Sequence, residues 1–574
     1  MEYINEIKDV ILERNDIEDC VYFSKNLINN IPYEIIVKCK FVVNNKRIPI
    51  LIGIPENWKI NLFSFYILSY GYKPLNTPLK DLLGYEDCCC FNEFIPHVGI
   101  HDGKICLVDL DSILIDFNFS GLLNQCIDIT KTILKAGIEE NNKQDFIKEF
   151  SSYIESGPNT LFAKLCPPET TSVIYYSYTK SQDYLIAAPK HEDIKFWYSL
   201  STIYKAAYFN FTSTIPIYPP DVRKKIDITL INQLFNQIPT KMLLNVFKHL
   251  KGTYTIFFDF KDPLPESKEF VNVCFGIMTD SNSIQFDGKK FNCISECNIT
   301  PIHVSNIGKD FLMSRTNSRS SLLSNLNVLI IGCGSIGGYL SDLLIKAGCE
   351  NLSLIDPDIF KENNIFRHLL GANFVDFSKV DALSYYLKKC IPNINITPIK
   401  STIEEAIQHE KITLKTFDLI FSVTGNQNIN RWLENYIDSN SIKTTIIYGW
   451  NEPLDIGCHS AIIDTKNKGR LSSLFQYSNE YKCIYDISSY TAPNQKITVN
   501  NSGCGGSFIP YGTDVSLKNA INCLDLFKRK IDNQLSKNTI ISQKGNGFYF
   551  KKSGLKQSKV YDEQRVIIDE KELS

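Results

Sequence analysis

Apolar and polar positions follow two different rhythms along this 574-residue chain. Near the N-terminus a segment rich in Ile and charged residues predicts a helix. The β-branched runs Tyr33 to Cys39 and Arg47 to Ile54 then predict strands, with Asn44-Asn45 between them as a tight turn. Pro55 closes the second run, and Ile105-Cys106-Leu107-Val108 reads as a further short strand. Leu122, Cys126, Ile129 and Ile133 recur at helical spacing, with Gly137 placed to stop the helix. These features predict an α+β unit over residues 1–150.

Proline clusters at Pro158 and Pro167-Pro168 mark a boundary. Residues 151–310 form an aromatic-rich, mixed stretch with strand-like Thr253 to Phe258 and Val271 to Ile277. It carries no chemical motif and reads as a linking domain. Over residues 311–574 strands and helices alternate. Asn327 to Ile331 is a buried strand, Tyr339 to Ala347 an apolar helix capped by Gly348, and Leu352 to Ile355 the next strand. Asp418 to Val423 and Thr444 to Tyr448 continue the series, which predicts a doubly wound, Rossmann-like α/β domain.

Composition changes this picture little. Hydrophobic residues make up 44% and charged residues 22%, an ordinary globular balance. Net charge is −2, from 61 Lys+Arg against 63 Asp+Glu, so no global field draws the chain to nucleic acid or an anionic membrane. No apolar run approaches the ~18 residues of a membrane span. The N-terminus carries acid where a leader would carry base, and the expectation is a cytoplasmic protein. The 18 cysteines are then expected as thiols. With no Cys-x-x-Cys pair, a structural zinc is not expected.

Gly332-Cys333-Gly334-Ser335-Ile336-Gly337 lies between a predicted strand and helix. Its glycines allow a tight turn and close backbone approach to a phosphate at the helix N-terminus. Asp356 ends the following strand, where a carboxylate can hold ribose hydroxyls. This much suits a nicotinamide-dependent oxidoreductase as well as an ATP user.

The next residues separate the two. Asp356-Pro357-Asp358 precedes Asn363-Asn364-Ile365-Phe366-Arg367-His368, and Phe377-Ser378-Lys379-Val380-Asp381-Ala382 follows. In that order, over residues 315 to 450, the elements resemble the ThiF/MoeB/ubiquitin-activating adenylation family. The resemblance implies ATP and Mg2+ as cofactors, with Gly332, Gly334 and Gly337 as the phosphate loop. It implies ribose on Asp356, Asp358 at the site, and Asn364, Arg367 and Lys379 facing the phosphates. It also implies a homodimer, with Arg315 or Arg319 as the arginine this family often supplies across the dimer. One departure stands out. The family's T-D-N reads Thr424-Gly425-Asn426 here, so a magnesium-holding carboxylate is missing, and Asp358 or Asp418 is the expected replacement. An inactive scaffold is the alternative that departure raises.

Two cysteines are candidates for thioester chemistry. Cys106, in Gly103-Lys104-Ile105-Cys106-Leu107, resembles the active-site segment of ubiquitin-conjugating enzymes. Gly99 stands near that family's Asn, leaving His97 or His101 to substitute. Cys504, in Ser502-Gly503-Cys504-Gly505-Gly506, lies beyond the nucleotide core, where ubiquitin-activating enzymes carry a thioester cysteine; Cys458 and Cys483 are its rivals. A conjugating-like domain, a linking domain and an adenylating domain, in that order, resemble the bacterial fused activating–conjugating enzymes of CBASS antiphage operons. That implies a relay from Cys504 to Cys106, and as partner the C-terminal tail of a cGAS-like nucleotidyltransferase, joined to an acceptor protein or small nucleophile. A ubiquitin-like modifier of another bacterial conjugation system is the alternative partner.

Overall fold

Helix α1 (Ile4–Leu12) buries Ile7, Val10 and Ile11, the i, i+3, i+4 stripe of an amphipathic helix. Strands β1 (Ile17–Ile28), β2 (Ile31–Val43), β3 (Lys46–Ile54) and β4 (Ser64–Ile67) follow as an antiparallel meander, with the two-residue β5 (Lys104–Ile105) at its edge. Both first turns are Asn-Asn with positive φ, at Asn29-Asn30 and Asn44-Asn45, the backbone that two-residue hairpins need. Helix α2 (Phe119–Glu139) crosses the sheet, and its Asn118 cap accepts the Gly121 N–H at 3.1 Å. It runs through Gly137 and ends at Glu140 in the left-handed region. Gly137 is therefore not the stop its spacing suggested. A Cβ there would lie 2.7 Å from Ile95, so the glycine lets the helix approach that residue.

This computed structural model describes the chain except residues 1–2, 69–94, 100–101, 108–114, 158, 182, 201, 221–225, 266, 295–298, 314–322, 392–393, 478–483, 501–506 and 574. Two units divide it, Met1–Ile307 and Gly308–Ser574.

The remainder of the first unit centres on a closed barrel of seven strands, with helices Ile228–Gln237 and Thr240–Phe247 packed on it. The strands are β6 (Leu161–Leu165), β7 (Ser172–Tyr178), β8 (Leu185–Ala188), β9 (Tyr204–Thr212), β10 (Thr253–Pro263), β11 (Phe270–Asp280) and, after the hairpin β12 (Ile284–Phe286) and β13 (Phe291–Cys293), β14 (Thr300–Asn306). The order around the barrel is β10-β11-β14-β6-β8-β7-β9. The aromatic-rich sequence serves packing here. Phe209, Phe258, Phe260 and Phe275 are buried, with Phe209 stacked on Phe258 at 6.2 Å.

The second unit is built on an eight-stranded sheet. In chain order its strands are β15 (Asn327–Ile331), β16 (Asn351–Ile355), β17 (Asn395–Ile399), β18 (Leu419–Ser422), β19 (Thr445–Asn451) and β20 (Gly457–Asp464). The short hairpins β21–β22 (Phe475–Tyr477, Ile484–Asp486) and β23–β24 (Val499–Asn500, Ser507–Phe508) intervene before β25 (Thr539–Lys544) and β26 (Ile568–Glu572). The sheet order is β17-β16-β15-β18-β19-β20-β25-β26. It is parallel through β19 and antiparallel beyond. Helices α3 (Ser335–Lys346), α4 (Lys379–Cys390), α5 (Gln427–Ser439) and α6 (Thr513–Ile531) pack against it. The doubly wound order reverses between β15 and β18, and ligands of such sheets bind at the carboxyl ends of the strands flanking that reversal. Farther along, a buried cluster ties β19, β20 and β25 together. Glu452 accepts hydrogen bonds from Ser489 and Thr491 and lies 3.3 Å from the His459 ring, which contacts the Ser542 hydroxyl at 2.8 Å.

Candidate functional site

Between Ile331 and Ser335 the chain turns through Gly332, Cys333 and Gly334 at the carboxyl end of β15. Gly332 has φ +94°, and a Cβ on it would lie 2.8 Å from the Thr424 backbone. A Cβ on Gly337 would lie 2.0 Å from the Gly332 carbonyl oxygen. Both glycines are dictated by the protein's own packing. Gly334 differs, because a Cβ there would meet nothing within 4 Å. It borders a cavity of about 450 Å³ and precedes α3, with no side chain capping the helix. The first-turn N–H groups and the helix dipole favour an anion at this position.

The cavity gathers most of the residues expected from sequence: Gly332, Gly334, Asp356, Asp358, Asn364, Arg367 and Lys379 line it, whereas Gly337 does not and serves the turn itself. Asp356 is buried, and its two oxygens accept the Cys333 N–H and the Asp358 N–H, each at 2.8 Å. The carboxylate that can face a ribose thus also pins the glycine loop. Burial pushes its pKa up, against the pull of Lys379. Lys379 opens helix α4 and is itself buried. Its ammonium donates to Asp358 at 2.7 Å and lies 3.9 Å from Asp356. Asn364 accepts the Lys361 N–H at 3.0 Å, which fixes the 3-10 turn Glu362–Arg367. Arg367, on that turn, is half-buried, and its guanidinium lies 5.0 Å from the Tyr511 ring. Among the described residues no carboxylate pairs with it.

His368 ends the same motif, directly after Arg367. It is buried, its Nδ1 accepts the Leu370 N–H at 3.0 Å, and the proton therefore sits on Nε2, which donates to the Cys333 carbonyl at 2.8 Å. Burial pushes its pKa down to about 4, and the nearby Lys379 and Arg367 act the same way. A neutral imidazole so held fixes the glycine loop from beneath; a Cβ on Gly338 would lie 3.1 Å from its ring. Glu404, Asn451 and Tyr511 also border the cavity, and no local pattern announces them, because the fold brings them in from distant positions.

Gly425 has φ +70°, and a Cβ on it would meet open space at the cavity wall. Asp418 cannot replace the carboxylate missing there. It precedes β18 and accepts the Asn327 N–H at 2.8 Å, at the opposite end of the strands from the cavity. Asp358 remains, with its side chain 63% exposed at the cavity.

In the first unit Cys106 is exposed and follows β5. Its N–H donates to the His97 carbonyl at 2.8 Å. Gly103, φ +67°, supports the preceding loop where a Cβ would lie 2.6 Å from the Ile67 carbonyl oxygen. The thiol stands between two grooves. One, of about 620 Å³, is bordered by Gln125 and Asp128 of α2, and the other, of about 480 Å³, by Tyr33 and Asn61. The His97 ring is occupied elsewhere, 2.7 Å from Glu149 and 3.5 Å from Asp145. The Glu149 hydrogen bond, with both carboxylate charges, raises its pKa against burial. Cys458 is buried, its thiol pushed up to about 12 by burial, and is no nucleophile. Cys504, its rival Cys483, His101, Arg315 and Arg319 lie outside the described residues.

The glycine turn, the pinned carboxylate and the two cations meet at the switch point, where doubly wound sheets bind their ligands. Residues 304–550 match the ThiF family model, and the chain carries a domain of that family. It is 29% identical over 223 residues to an "ATP-dependent ubiquitin transferase-like protein Cap2" of Pseudomonas aeruginosa, a match covering 38% of each chain. A Cap2 of Vibrio cholerae is 34% identical over 142 residues, 24% of each chain. A molybdopterin-synthase adenylyltransferase of Haemophilus influenzae is 30% identical over 125 residues, covering 21% of this chain and 49% of that one. Matches to these curated relatives thus span less than half of their length. Among solved structures, E. coli MccB with ATP aligns over 44% of this chain and 65% of that chain, at 18% identity and a TM-score of 0.32.

Proposed function

We propose that this chain uses ATP to adenylate the C-terminal carboxylate of a protein partner, then passes the acyl group through its own cysteines to an acceptor. The observation that carries the reading is the meeting of Gly334, Asp356, Arg367 and Lys379 in one cavity at a helix N-terminus. Adenylation joins a carboxylate oxygen to the α-phosphorus of ATP and breaks the bond to pyrophosphate. Negative charge grows on the phosphate oxygens and must be met by fixed donors. Arg367 has no carboxylate partner among the described residues and can turn to phosphate. Lys379 can exchange Asp358 for phosphate while Asp356 keeps it in place. Magnesium, when bound with ATP, would supply charge neutralisation. Mg2+ takes one or two carboxylates plus phosphate oxygens, and Asp358 fits that need.

Acyl transfer would begin at Cys504, on the unit that holds the nucleotide cavity, and pass to Cys106. Exposure of Cys106 between two grooves, and its place after an antiparallel meander and before a long helix, support a ubiquitin-conjugating-like role for residues 1–150. Residues 151–310 link this part to the adenylating residues 311–574. The names of the Cap2 relatives support a ubiquitin-like transfer, and the domain order supports priming of a cGAS-like synthase in CBASS defence, in the cytoplasm. A homodimer completes the reading; Phe366, 94% exposed beside Arg367, is a residue that a second subunit would cover.

The deciding experiment is ATP–pyrophosphate exchange with the candidate partner, followed by non-reducing gels. Exchange should require the partner's intact C-terminus, and a reductant-sensitive adduct should form on the chain. In a Cys504→Ala variant neither cysteine should load, while in Cys106→Ala the Cys504 thioester should form without conjugate. Nicotinamide binding without exchange would replace the reading with an oxidoreductase, and partner binding without AMP release would replace it with a scaffold.

A further inference from the structure

Arg367 and Tyr511 come from opposite halves of the second unit and border the same cavity. Tyr511 does not dangle there. On one side of it, the Pro510 carbonyl accepts the Leu454 N–H at 2.7 Å. On the other, the Gly512 N–H donates to Asp455 at 2.5 Å, and the Thr513 hydroxyl meets the Tyr339 hydroxyl at 2.6 Å. Leu454 and Asp455 both hold positive φ, 51° and 58°, an unfavourable backbone for these residues that the surrounding structure must enforce. Tyr339 lies on α3, the helix whose N-terminus opens on the cavity. The ring position is therefore set by the same frame as the phosphate-facing loop. Guanidinium groups are attracted to aromatic faces at this separation.

We propose that Tyr511 is a positioning residue for nucleotide binding: its anchored ring holds the Arg367 guanidinium at the cavity, ready for the phosphates of ATP. The inference rests on the nucleotide reading above and deepens it. A flexible arginine free to sample many rotamers would lose conformational freedom on meeting phosphate; one already stacked loses less.

The test is a double-mutant cycle on ATP affinity, measured by equilibrium dialysis of radiolabelled ATP with magnesium against the full chain, which needs no partner protein. Tyr511→Ala and the bulk-preserving Tyr511→Leu should each weaken ATP binding about 3- to 10-fold. Tyr511→Phe should bind within about twofold of wild type, because the face rather than the hydroxyl acts. In an Arg367→Ala background, Tyr511→Leu should add nothing further. Full additivity, or Tyr511→Phe as weak as Tyr511→Leu, would overturn the proposal while wild-type ATP binding kept the nucleotide reading intact. A wild-type chain that binds no ATP would remove that reading, and this proposal with it.

Discussion

His368 and His97 each fix a segment that carries candidate chemistry, one in each unit, and they do so with opposite electrostatics. His368 lies buried among cations and holds the Cys333 carbonyl through a side-chain N–H, as the neutral imidazole. His97 holds the Cys106 N–H through its backbone carbonyl, and its half-exposed ring is anchored by Glu149 and Asp145, which favour the imidazolium. Where Lys379 and Arg367 converge at the cavity, an added positive charge would be repelled, so a neutral strut is favoured. At the open thiol site no such restriction holds, and a charged strut can use carboxylates from beyond α2.

The widest separation of the two regions comes from the cations. Arg367→Ala and Lys379→Ala should each lower pyrophosphate exchange by about 100-fold or more, as expected for loss of a transition-state donor. Lys379→Ala should in addition cost on the order of 1–3 kcal/mol of stability, since it strips buried Asp356 of its counter-charge. Denaturant unfolding of the full chain followed at second-unit probes would measure it, and wild-type exchange in both variants would break the assignment.

Cys106→Ala should do the converse, leaving exchange within about twofold of wild type while conjugate disappears. Persistence of conjugate at the normal rate would show that this thiol is bystander to the transfer.

A smaller effect should appear in pH dependence, with opposite signs at the two histidines. His368 has a folded pKa depressed to about 4, so between its unfolded value near 6.5 and that point the unfolded chain binds the extra proton. Its contribution is full above pH 6.5 and falls by on the order of 2 kcal/mol by pH 5. Protection factors of the amides of residues 332–338, corrected for the intrinsic exchange rate at each pH, should therefore fall on acidification, and His368→Gln should flatten the response. The smallest change belongs to His97. Its raised pKa makes its contribution complete below about 6.5 and lost as pH rises through the folded value. Protection factors around residues 97–106, corrected in the same way, should thus fall on the alkaline side, less in His97→Gln. If both segments respond in the same direction, the contrast fails.

Local signals carried much of this architecture. The glycine loop was legible because a tight turn and a helix start are both set within six residues, and the turn at Asn44-Asn45 because hairpin backbone is chosen by two. Strand β1 was not legible: its Glu, Asp, Ser and Lys positions fit a half-exposed edge that only its pairing with β2 makes a strand. Gly137 misled because a glycine needed for contact with Ile95 looks the same in sequence as one ending a helix. Asp418 misled because sequence gives its nearness to a strand but not which end of the sheet the cavity occupies. Tyr511, 144 positions after Arg367, is joined to it only through the winding of the sheet.

Cys106, exposed at the edge of the first unit, and Cys458, sealed within the second, belong to a wider distribution of thiols that can report on conformation. Among the described residues Cys106 and Cys390 are exposed, whereas Cys126, Cys333, Cys349, Cys458 and Cys523 are sealed within the cores of one unit or the other. A brief pulse of an alkylating reagent will mark the first pair in the native molecule and reach the second group only when its unit opens. Reading the labelled peptides by mass spectrometry then yields separate opening equilibria for the two halves of one chain, without a fluorophore or an added tag.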